Sequence, residues 1–130
     1  MQIAAYLLAG LVLLIHIYIV LIETVLFRSA GVRVFRIAPS EVERLAPVMS
    51  NQGCYNLFLV AALALGLFYP LADIANAFLI YGLVCVVVAG LWGSLTVSRR
   101  ILYVQALPAA AALVSTIVKA RVCQIADFMF

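Results

Sequence analysis

From Ile3 to Phe27 the chain is an apolar run whose only strongly polar members are His16 and Glu23, and it is long enough to cross a lipid bilayer. A spanning helix needs about 20 mostly apolar residues. Three further runs near that length follow, at roughly 51–71, 74–97 and 101–118. None alternates apolar with polar residues, as the strands of a membrane barrel would. The connections between them are too short for a separate soluble domain. The chain therefore reads as all-α, an integral membrane four-helix bundle in a single transmembrane domain, 1–130. Composition agrees, with 68% hydrophobic and 10% charged residues against about 25% charged in soluble domains.

The first run is too long for the apolar core of a signal peptide, has no basic residue before it and no small-residue cleavage site after it. It is expected to be a retained span. Arg28, Arg33, Arg36, Arg44, Arg99 and Arg100 fall in the first and third connections, against Lys119 and Arg121 beyond the last span. The positive-inside rule then puts those connections in the cytoplasm and both termini on the extracytoplasmic side. The expected location is a cell membrane, multi-pass, such as the bacterial inner membrane. The net charge of +3 is accounted for by topology and by membrane lipids as partners. No nucleic-acid partner is expected.

Cys54, Cys85 and Cys123 form no C-x-x-C pair and read as small apolar fillers. One histidine and one carboxylate fall short of a metal's usual ligands. No metal site and no cofactor are expected. Ser40 with Glu43 has the spacing of a capping box, and the helix begun there is expected to bend near Pro47 on entering the second span. Asp73 is placed to cap the third. Gly82, Ala89, Gly90 and Gly93 give the third span a small-residue face for close packing, as Ala109–Ala112 does the fourth. Tyr6, Tyr18, Tyr69 and Tyr103 lie near span ends as interfacial anchors.

His16 and Glu23 are two helical turns apart and so project from one face. The second span opens with Asn51-Gln52-Gly53-Cys54-Tyr55-Asn56, dense in amides for a segment entering lipid. Gln52, Tyr55 and Asn56 share a face by spacing. The fourth span brings Gln105, with Pro108 freeing the carbonyl of Val104 nearby; the third brings Ser94, Thr96 and Trp92. At about 1.5 Å per residue, Glu23 lies roughly 6 Å from Phe27, Asn56 about 7 Å beyond Asn51 and Gln105 about 6 Å beyond Ile101. These three then share a level, with His16 deeper. Polar groups in hydrocarbon need partners, so a polar pocket is expected in the cytoplasmic half of the bundle. Its catalytic candidates are Glu23 and His16; its binding candidates are Asn51, Gln52, Tyr55, Asn56, Gln105, Thr96 and Trp92. The competing reading has Glu23 snorkelling to Arg28 or Arg99 and the amides merely joining helices.

The amide segment, with Gly90-Leu91-Trp92-Gly93 before Thr96 and Gln105-Ala106-Leu107-Pro108-Ala109 after Ile101-Leu102, resembles a family of small bacterial and fungal membrane proteins catalogued as domain of unknown function thirteen hundred and four. The likeness runs over nearly the whole length and takes in His16 and Glu23. Cys54 and Pro47 depart from it without touching the polar set. The resemblance implies a four-helix membrane protein and no activity.

Two functional classes are open. In one, the pocket binds a lipophilic small molecule and Glu23 with His16 moves protons on it, as a membrane isomerase or hydrolase would. In the other, Glu23 is the coupling site of a small proton-coupled exporter acting as a dimer. The fixed orientation and the one-sided clustering favour the first. A homo-oligomer and a structural membrane subunit also fit.

Overall fold

The computed structural model describes residues 2–129, with side chains except at 2, 119 and 123–129. The side chains of Lys119 and Cys123 lie outside those described. All the regular structure among the described residues is helical: α1 (Gln2–Glu23), α2 (Val32–Phe35), α3 (Val42–Phe68), α4 (Ala72–Thr96) and α5 (Leu107–Met129). Helices of four segments are long and apolar enough to cross a membrane. α1 packs against α3 and α5, and α4 packs against the same two. The four long helices thus close into a square of antiparallel neighbours, with α1 diagonal to α4.

The packing is graded by residue size. Ala9, Ala109 and Ala112 are fully buried with Val12, Leu63, Leu83 and Val86, while Leu7, Phe58, Phe68 and Leu95 point outward, Leu95 with 83% of its surface uncovered. Small residues let helices approach and large apolar ones face outward, an arrangement suited to lipid, where helix contact is driven by fit. The core runs through Ala9, Val12, Leu13, Leu63, Leu79, Leu83, Val86, Ala109 and Ala112.

The element ends differ from the expected ones. α1 stops at Glu23 rather than 27. The hydroxyl of Thr24 donates to the Val20 carbonyl at 2.6 Å, a carbonyl the Thr24 backbone N–H also uses. The next bond is Leu26 N–H to the Leu21 carbonyl, a wider register. A π-helical turn at Phe27–Gly31 follows, and Gly31 seats directly on the carbonyl of Ile22. The chain therefore folds back where the sequence offers no proline stop. α3 begins at Val42, close to the helix start expected at Ser40, and continues through Pro47 into the second span.

Neither expected cap forms. Glu41 stands at the N-cap of α3 and Leu71 at that of α4, each without a side-chain bond to the helix. Glu43 is instead held by Arg28 through two bonds of 3.0 and 2.9 Å, and Asp73 lies in the first turn of α4. There an acidic group still meets the positive end of the helix dipole. Arg44 pairs with Glu41.

Candidate functional site: two amide-held ionisable groups

His16 is fully buried on the inner face of α1. Its Nδ1 stands 2.9 Å from the Val12 carbonyl oxygen. A carbonyl can only accept, so Nδ1 carries the proton. In the neutral ring Nε2 is then an acceptor, and the Nε2 amide of Gln105 reaches it at 3.2 Å. Gln105 sits on a π-helical turn, Leu102–Ala106, closed by Leu107 N–H on the Leu102 carbonyl. π turns of this kind recur at functional sites. Pro108 has no N–H to give Val104, and the turn just before it takes the wider register. The turn rests on α4 at Gly90, where an added Cβ would lie 2.9 Å from the backbone nitrogen and Cβ of Ala106.

Glu23 is the last residue of α1 and is 93% covered, from its 7% relative exposure. Asn56 of α3 donates from Nδ2 to Glu23 Oε2 at 2.7 Å and lies 3.4 Å from the Gln52 carbonyl. The contact depends on Gly53, whose missing Cβ would meet the Thr24 methyl and stand 3.2 Å from the Cβ of Glu23. Oε1 of Glu23 makes no hydrogen bond among the described residues. No fully enclosed side-chain nitrogen or oxygen among them lacks a partner, so Oε1 is not sealed. No cation pairs with this carboxyl among the described residues either. Arg28, one partner considered from sequence, is engaged by Glu43.

The two ionisable residues thus occupy different interfaces, His16 between α1 and the π turn that leads into α5 and Glu23 between α1 and α3, each held by its own amide. Gln105 joins His16, not the level of Glu23 and Asn56. The depth arithmetic placed it otherwise because it took α1 to run on past Glu23. The remaining candidates are not gathered in. Asn51, Gln52 and Tyr55 are exposed on α3, where Tyr55 meets Phe58 edge-on at 6.3 Å. Trp92 is exposed, and the exposed Thr96 bonds back to its carbonyl at 2.9 Å. At about 100° per residue, turning Gly53 and Asn56 towards α1 turns Tyr55 away, and Gln52, though only about 40° round from Asn56, falls on the exposed side of that contact.

Sequence reasoning passed over two contributors. Gly53 was given no role of its own, although a glycine inside an amide-rich helix start is the clue to close approach. Thr116 is buried on α5 but satisfies itself on the Ala112 carbonyl at 2.8 Å, leaving no signal in its spacing. Among the described residues no group of three histidine, cysteine or acidic side chains could hold a metal. An apolar groove lined by Ala61, Ala64, Leu65, Phe68, Tyr69 and Pro70 lies at the C-terminal end of α3, beyond Asn56.

Residues 10–117 match the family described as protein of unknown function, DUF1304. The chain belongs to this family. The matched region includes both amide-held pairs and the glycines that seat them. No curated protein and no solved structure matches the chain.

Proposed function

We propose that this DUF1304 protein binds a lipophilic small molecule at Glu23, in the half of the bundle that bears the arginine-rich connections, and exchanges a proton with the bound head group. In this reading the arginine-rich end faces the cytoplasm and both termini lie outside. The observation that carries the reading is a membrane-level carboxyl that has, among the described residues, one amide partner, no cation and one oxygen that is unpartnered and not fully sealed. An ionised carboxylate in hydrocarbon costs at least about 2.5–3.5 kcal/mol on insertion scales. With no arginine or lysine among the described residues to balance it, its charge is settled by a proton or by an occupant. Oε1 accepts a hydrogen bond from the head group when the carboxyl is ionised and donates its proton towards it when it is not, while Asn56 steadies Oε2. His16, tied to Val12 and Gln105, holds the neighbouring α1–α5 interface as a second polar station.

A binding site fits better than a conduit. The buried residues of the other half are Ala5, Ala9, Leu79, Leu83 and their apolar neighbours, with Thr116 satisfied on its own helix. Among the described residues no polar path crosses them. The test compares small molecules retained by the purified wild-type chain and by Glu23→Ala, extracted and identified by mass spectrometry. A lipophile enriched on the wild type and lost from the variant is expected. Identical extracts, with both proteins folded, would contradict the proposal.

A further inference from the structure

Building on Glu23 as a ligand site, we propose that its occupant is a neutral lipophile whose polar head is a hydroxyl group. The polar atoms left open at the α1–α3 contact are Oε1 of Glu23 and Oδ1 of Asn56, because Asn56 uses Nδ2 on Glu23 and the Gln52 carbonyl. Neither oxygen has a partner among the described residues, and neither is sealed. An occupant has to bring a donor to them, since desolvating an acceptor without a partner is costly.

Charged heads fit poorly. A carboxylate or phosphate would stand beside Glu23, like charge against like. An ammonium would sit at the same end of the bundle as Arg33, Arg36, Arg99 and Arg100, which have no anionic partner among the described residues. The acids of that end, Glu41 and Glu43, are already held by Arg44 and Arg28. The field there is positive, and it disfavours a second cation. A hydroxyl avoids both penalties. It is donor and acceptor at once, so it bonds to Oε1 when the carboxyl is ionised and accepts from it when the carboxyl holds the proton. Ile19 and Val20 on α1 and Val60 on α3, all half-buried, lie about one turn deeper and within about 60° of Glu23 and Asn56 round their helices, offering apolar surface for the body of the molecule.

The test uses the full chain in detergent micelles and native mass spectrometry with three probes of one chain length: 1-dodecanol, dodecylammonium and dodecanoate. Dodecanol is expected to be retained at least about tenfold more than either charged probe, and to lose about tenfold in Glu23→Ala. Should that variant not fold, Glu23→Gln keeps an oxygen for Asn56 but puts an amide nitrogen where Oε1 stands; retention then falls at least about threefold. A charged probe retained as well as dodecanol, with both losses present at residue 23, overturns the hydroxyl class and leaves the site standing. Dodecanol retention that ignores both substitutions overturns the site and this inference together.

Discussion

At Gly53 a methyl group would run into the side chain of Thr24 and press on the Cβ of Glu23. Thr24 cannot turn aside freely, because its hydroxyl is bonded to the Val20 carbonyl. Gly53→Ala is therefore expected to cost about 1–3 kcal/mol, the usual penalty of overpacking, measured as a fall in thermal midpoint in detergent. Thr24→Ser removes the obstructing methyl and keeps the hydroxyl, so it should recover part of that loss. At His16 the sensitive partner is Gln105. Gln105→Leu leaves Nε2 enclosed without a donor and should cost about 1–3 kcal/mol. Adding His16→Leu should cost less than the two single changes together, since both polar partners are then gone. Strict additivity of the two would show that the bond contributes nothing.

At the scale of elements, the π turn is the part that positions Gln105. Gly90→Ala would push Ala106 outward and carry the turn with it. Gly66→Ala is the control: its Cβ would meet the backbone of Leu79 at 2.6–2.7 Å, in the α3–α4 contact away from His16. Both should destabilise the bundle, but only Gly90→Ala should change the imidazole nitrogen signals of His16 in NMR. Equal changes from both would detach the turn from the histidine. The four long helices were legible because runs such as 74–97 are apolar all round and of spanning length. The turns at Phe27–Gly31 and Leu102–Ala106 were not, since widening a helix by one residue leaves no periodic trace in an apolar segment. Glu23 and His16 stood out in the sequence because ionisable residues are costly there, and Asn56 and Gln105 stood out as amides. Which amide meets which group depends on helix order around the square and on where α1 ends, and local spacing encodes neither.

For the whole molecule, the six arginines of the two connections lie at one end of the bundle, and the account places that end in the cytoplasm. In a cysteine-free background, an impermeant thiol reagent should label a cysteine at position 2 in intact cells and one at position 36 only after permeabilisation. The reverse pattern would invert the bundle. The central claim is that Glu23 is a carboxyl at membrane level with one oxygen still reachable. Its most direct test is a pair of carbodiimides, one lipid-soluble (dicyclohexylcarbodiimide) and one water-soluble, applied to the reconstituted protein and followed by peptide mass mapping. Glu23 is expected to be modified by the lipid-soluble reagent alone, and the modification to be abolished in Glu23→Gln. Glu23 left unmodified by it, or modified equally by the water-soluble reagent, would contradict the claim.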